Sequence, residues 1–244
     1  MYDLLGPAAD CDVISHAFFM LRAPSVPFVR KISILEPMNL AVLASGSGTT
    51  LQNLLDRIAA KSLDARVNLV IASRANVLAL DRAAKAAITA HIIDRKLFSN
   101  AEEFSRPIFK LIDESNVDLI CLAGWLCMLK IPPRYENRVM NIHPALLPSF
   151  GGAGMYGRKV HEAVLAHGCK ISGCTVHFVD EKYDNGPIIL QRACHVLEND
   201  TPETLAHRVF EEEKIAYPQA IRLYQQGRLK IAGRRVQILS EPAS

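Results

Sequence analysis

From Asn39 onward, apolar runs alternate with polar segments of helical spacing. Leu40-Ala41-Val42-Leu43-Ala44 leads into the glycine-rich Ser45-Gly46-Ser47-Gly48-Thr49-Thr50, and Leu51-Gln52-Asn53-Leu54-Leu55 then repeats with helical period. Further strand-like runs lie at 67–72, 91–93, 119–123 and 138–142, with helix-like segments at 79–87 and 102–114. Strands and helices in alternation predict an α/β fold with a doubly wound, mostly parallel sheet flanked by helices. The last third changes character. Two long strand candidates, 171–179 and 187–196, flank a polar stretch containing Asp184-Asn185-Gly186, a turn signal that predicts an antiparallel hairpin. Thr201-Pro202-Glu203 opens a long helix with an N-cap, a proline in the first turn and an acid at the positive dipole end. That helix should run to about Gly227, bent near Pro218.

Residues 1–37 break the pattern. They carry four prolines, early acids at Asp3, Asp10 and Asp12, and no periodicity. They match neither a secretory signal nor an acid-poor transit peptide. With Met38 standing just before the first strand, the expectation is an N-terminal extension, disordered or a start-site artefact, ahead of one catalytic domain over 38–240.

Composition narrows the function classes. Of 244 residues 50% are hydrophobic, enough for a sizeable core. A net charge of +3 without a basic stripe argues against nucleic acid as a partner. No apolar run approaches the ~20 residues that span a bilayer, so no membrane partner is expected. Six cysteines sit mostly inside apolar segments, as buried thiols in a reducing, cytoplasmic setting would. Cys174 and His177 lack a second ligand pair, so no metal is expected.

The candidate chemistry concentrates in Asn141-Ile142-His143-Pro144. On a strand Asn141 and His143 share a face, and Pro144 should end the strand, leaving an amide and an imidazole at a carboxyl end. Both suit stabilisation of an oxyanion and proton movement. Asp184 is the natural third member, a carboxylate able to hold His143 protonated. The loop Ser45–Thr49 places glycines and helix-start N–H groups as an anion cradle, without the third glycine of a dinucleotide site or the lysine of a P-loop. Gly151-Gly152-Ala153-Gly154-Met155-Tyr156-Gly157 reads as a flap, Trp125 as core, and His161 and His177 are the other histidines of interest.

Taken together, Ala44–Gln52, Leu122-Ala123-Gly124-Trp125, Asn141-Ile142-His143-Pro144 with Leu146-Leu147-Pro148, Thr175-Val176-His177-Phe178-Val179 and Asp184–Gln191 resemble the phosphoribosylglycinamide formyltransferase family. The resemblance implies a metal-free enzyme, monomer or homodimer, acting on small molecules in purine synthesis. It would move the formyl group of 10-formyltetrahydrofolate to glycinamide ribonucleotide. It implies Asn141, His143 and Asp184 as catalytic residues and Gly48, Thr49, Thr50 and Glu213 as ribonucleotide contacts. For the folate it implies Leu126, Cys127, Met128 and Leu129, Asn141, and Asp180, Glu181, Lys182, Tyr183 and Asp184. Thr50, Cys127 and Ala153 depart from the family pattern, where Asn, a basic residue and Lys are usual. A folate-using hydrolase or another formyltransferase is the alternative within enzymes, and a ligand-binding relative without turnover the alternative outside them.

Overall fold

All seven residues of strand β1 (Met38–Ala44) are buried, as befits a strand in the interior of the sheet. A computed structural model of the chain describes residues 36–241, so the expected extension lies, but for its last two residues, outside the described part. β1 is followed by α1 (Thr49–Ala59), β2 (Ala65–Ala72), α2 (Leu78–Lys85), β3 (Ala90–Ile92), α3 (Ala101–Glu114), β4 (Leu119–Leu122) and β5 (Val139–His143). Then come α4 (Arg158–Ala166), β6 (Ile171–Phe178), β7 (Ile188–His195), α5 (Pro202–Gln225), β8 (Leu229–Ala232) and β9 (Arg235–Ile238).

Among the described residues the sheet has the order β3-β2-β1-β4-β5-β6-β7-β9-β8. The first five strands are parallel; β6 runs antiparallel to β5 and β7 antiparallel to β6, as the hairpin signal predicts. The chain winds outward from β1 to β3 and then returns to β4 on the other side. That reversal opens a crevice at the carboxyl ends of β1 and β4, where such sheets bind ligands.

Side-chain alternation divides the core in two. Leu40, Val42 and Ala44 of β1 pack with Leu51, Leu54, Ala79, Val209 and Tyr217 on one face. Ala41 and Leu43 pack with Phe104, Ile108, Ile112 and Trp125 on the other. α5 continues through Pro218 instead of stopping there. Proline cannot donate to the carbonyl four residues back, and that carbonyl, of Lys214, instead accepts from Asn53 Nδ2 at 3.3 Å and Arg57 at 3.4 Å. The same helix is pinned beneath the site by Tyr217, whose hydroxyl lies 3.1 Å from the Leu122 carbonyl and 2.9 Å from that of Met140.

Candidate active site

β5 ends at His143, as Pro144 dictates, and its last residues carry the Asn/His pair. Asp184 reaches them from the turn between β6 and β7, where it adopts a left-handed φ of 50°. Its Oδ1 accepts from Asn141 Nδ2 at 3.3 Å, and its Oδ2 lies 3.4 Å from His143 Nδ1 and accepts from the Gly152 N–H at 3.0 Å. The three expected catalytic side chains are therefore one cluster. The glycine-rich loop is wired into it, because His143 Nε2 also lies 2.8 Å from the Phe150 carbonyl. An acceptor there places a hydrogen on Nε2.

The electrostatics correct one expectation. Burial lowers the His143 pKa more than the Asp184 charge and the Phe150 carbonyl raise it, and nearby His177 adds to the lowering. His143 is 3% exposed, so the desolvation of a cation outweighs one carboxylate at 3.4 Å. The resting imidazole is thus more readily neutral than a free histidine, not held protonated. Burial alone would raise the Asp184 carboxyl, but the His177 and His143 rings and the Gly152 N–H outweigh it and keep it below the usual carboxylate value.

Two recesses adjoin the cluster. A small cleft of ≈ 40 Å³ is lined by Trp125, Cys127, Met128, Leu129, Asn141, His177, Lys182, Tyr183 and Asp184 among others. Trp125 is core, stacked on Phe104 with ring centroids 5.8 Å apart, yet it also forms this wall, and its indole N–H has no partner among the described residues. Leu126, Asp180 and Glu181 do not line the cleft. The Leu126 side chain is exposed while its N–H donates to Ser45 Oγ. Asp180 shapes its own turn by accepting from the Lys182 N–H and Asn185 Nδ2, and Glu181 pairs with Lys130.

A larger cavity of ≈ 470 Å³ opens between the first βα loop and α5, lined by Ser47, Thr49, Pro144, His161, Phe210 and Glu213 among others. Of the expected ribonucleotide contacts, Thr49 and Glu213 line this cavity. Gly48 and Thr50 are buried and are not part of its lining. The requirement for glycine at 48 is structural: φ is 69°, and a β-carbon would meet the Ala79 Cα at 2.7 Å. At Gly46 a β-carbon would meet nothing within 4 Å, so Gly46 is the open position in the loop. Burial pushes the Glu213 carboxyl up to about 8. Ser47 lies in the expected anion loop and His161 is one of the two further histidines of interest, whereas Arg158 and Phe210 are additions that the sequence pattern did not single out. His161, on α4, is buried, and its Nδ1 has no hydrogen-bond partner among the described residues. Among the described residues no group of three or more His, Cys, Asp or Glu could hold a metal ion, and no helix is long and apolar enough to cross a membrane.

The arrangement offers a carboxylate, an imidazole and an amide at a strand end, with the larger cavity and the small cleft beside them. The formyl transferase family model matches residues 38–221. The chain is 40% identical over 196 residues to the trifunctional purine biosynthetic protein adenosine-3 of Gallus gallus, covering 80% of this chain but 19% of that protein. It is 36% identical over 194 residues to the phosphoribosylglycinamide formyltransferase of Haemophilus influenzae, covering 79% of this chain and 89% of the relative. The crystal structure of glycinamide ribonucleotide transformylase 1 from Symbiobacterium toebii superimposes with a TM-score of 0.77 at 42% identity, covering 84% of this chain and 95% of that one. The chain thus spans about a fifth of the trifunctional relative and nearly all of the single-function ones.

Proposed function

The chain belongs to the formyl transferase family, and from that premise we propose that it transfers the formyl group of 10-formyltetrahydrofolate to the amine of glycinamide ribonucleotide. The supporting observation is the cluster of Asn141, His143 and Asp184, with Asn141 and Asp184 lining the cleft and Pro144, next to His143, lining the larger cavity. The ≈ 470 Å³ cavity suits a sugar phosphate, with the α1 N-terminus and the Ser47–Thr49 backbone at one end and Glu213 at another. The cleft suits a planar heterocycle against Trp125, Met128 and Leu129, with Asp184 and the turn residues as polar contacts. The relatives named for this reaction support the same substrates. The setting is the cytoplasm, and the active species is a monomer or homodimer.

The reaction needs no nucleophile from the protein. The substrate amine forms the new C–N bond to the formyl carbon, and the carbonyl pair moves onto oxygen. When the tetrahedral species collapses, the bond to the folate N10 breaks. N10 takes up a proton equivalent to the one the amine gives away. His143 meets the oxyanion with its Nε2–H, exchanging the Phe150 carbonyl for it. The new negative charge raises the proton affinity of the imidazole, so the proton the amine gives up rests on the ring while the oxyanion lasts and passes on to N10 as the C–N10 bond breaks. Asn141 contributes a second N–H, and Asp184 relays the amine's proton through one water. The test is direct: purified protein, both substrates, and detection of formylated ribonucleotide. Absence of product, or release of free formate alone, would overturn the reading, the latter in favour of a hydrolase.

A further inference from the structure

We infer that His177 is a positioning residue for this reaction, fixing which way round the Asn141 amide sits. Asn141 and His177 are direct partners across the antiparallel β5–β6 pair, so their side chains share a face at close range. The register of β6 against β7 shifts between Val176 and His177, an irregularity of the kind that re-aims a side chain. His177 is 1% exposed. Its Nδ1 lies 2.7 Å from the Phe178 carbonyl, which can only accept, so Nδ1 carries the hydrogen. With the hydrogen there, Nε2 accepts, and the Asn141 nitrogen 3.2 Å away must be the donor.

The second amide hydrogen goes to Asp184 Oδ1 at 3.3 Å. Both partners of the amide nitrogen are acceptors, which excludes the flipped side chain; a flip would put Oδ1 against a lone pair and a carboxylate. Among the described residues Asn141 Oδ1 takes no donor from the protein. Asp184 also serves Gly152 and His143, and must change partners if it moves a proton. His177 Nε2 lies 3.2 Å from the amide nitrogen and 3.8 Å from Asp184 Oδ1, so the amide is its nearer partner. It alone holds the amide in register when Asp184 lets go, so the N–H that Asp184 releases is the one presented to the oxyanion. The Asp184-Asn185-Gly186 turn supports this chain of contacts, because Gly186 packs against the Phe178 carbonyl so closely that any β-carbon would collide with it.

The kinetic consequence rests on the proposed formyl transfer, whereas the amide geometry does not, and the two are tested apart. His177→Phe keeps the ring and removes both nitrogens; His177→Gln restores an acceptor. We expect kcat to fall about 10–50-fold in His177→Phe with both KM values within about threefold, and to recover at least partly in His177→Gln. In an Asn141→Ala background His177→Phe should cost less than about threefold more, because there is no amide left to orient. An unchanged kcat, or the full loss recurring without Asn141, overturns the inference. If His177→Phe fails to fold, the cycle is run with His177→Leu. Independently of turnover, the Asn141 side-chain NH2 signals, identified by their loss in Asn141→Ala, should exchange with solvent about tenfold or more faster in the His177 variant. Unchanged exchange overturns the inference even if the wild-type protein transfers no formyl group; wild-type inactivity overturns only the proposed function.

Discussion

Replacing Glu213 with glutamine should stabilise the protein, increasingly so as pH rises. Glu213 stands on α5 beside the larger cavity, and none of the hydrogen bonds or ion pairs among the described residues engages it, whereas its neighbours Glu211 and Glu212 pair with Lys214 and Arg192. Burial pushes its carboxyl from an ordinary 4.5 up to about 8. A group whose folded pKa is raised keeps its full contribution below the unfolded value and loses it as pH climbs through the folded one. The window here is from 4.5 to about 8. At ~1.4 kcal/mol per pH unit the interval has an upper bound of roughly 4–5 kcal/mol. The side chain is half-buried and opens onto a cavity that water fills, so the expected cost is about 1–3 kcal/mol at pH 8. Glutamine carries no charge in either state and escapes it. Thermal unfolding of both proteins at pH 5, 6.5 and 8 should show nearly equal midpoints at the lowest pH and a gap of roughly 2–10 °C at the highest. A gap that does not change with pH would refute the argument. Vicinal ribose hydroxyls donate to a carboxylate and favour its ionised form. Ribonucleotide binding near pH 7 should therefore release protons from the wild-type protein and fewer from the variant, read as buffer-dependent heats in calorimetry.

Gly48→Ala should destabilise by about 2 kcal/mol or more, through positive φ and collision with Ala79. Gly46→Ala should leave the midpoint within about 0.5–1 kcal/mol while raising the ribonucleotide KM. Equal unfolding midpoints for the two would contradict this. Asn141→Ala and His143→Ala should each lose about 10²–10³ in kcat, and the double variant less than the product; near-normal kcat in His143→Ala would sink the oxyanion scheme. Asp184→Asn removes the larger of the two effects that raise the His143 pKa, leaving only the Phe150 carbonyl to oppose burial. The His143 titration, followed by NMR, starts below 6.5 and should move lower still; an upward movement would show that Asp184 does not act on it as a charge.

The parallel half of the fold is legible because buried strands announce themselves as unbroken apolar runs, and β1, β4 and most of β2 are such runs. Helix α4 is not. It starts after Gly157 without a side-chain cap and with Arg158 and Lys159 at the positive end of its dipole, the reverse of a start signal. The pair β8–β9 is short and largely exposed, so its strands carry little apolar contrast. At the site, Asn141 and His143 follow from strand period and Asp184 from the turn it opens. His177 needed the cross-strand register with Asn141, which no local pattern encodes. The neutral resting state of His143 needed its burial, since charge proximity alone points the other way.

The donors of the Asn141–His143–Asp184 cluster are committed before substrate arrives. In the free protein its polar hydrogens are all engaged: both of the Asn141 amide, and the Nε2–H of His143 on the Phe150 carbonyl. A site that stabilises an oxyanion must free donors when substrate arrives, and the contacts that yield should be the long ones. Asn141 to Asp184 is 3.3 Å, against 3.2 Å for Asn141 to His177, 2.7 Å for His177 to Phe178 and 3.0 Å for Gly152 to Asp184. Hydrogen bonds weaken as they lengthen, so Asp184 is the group whose partners change and the His177 ring is the one that stays. The Phe150 carbonyl at 2.8 Å is the exception, a short bond that must also open. It belongs to the start of the glycine-rich loop, where positive φ at Gly152, Gly154 and Gly157 gives the backbone room to move. Loop displacement and exposure of the His143 donor are on this geometry the same event.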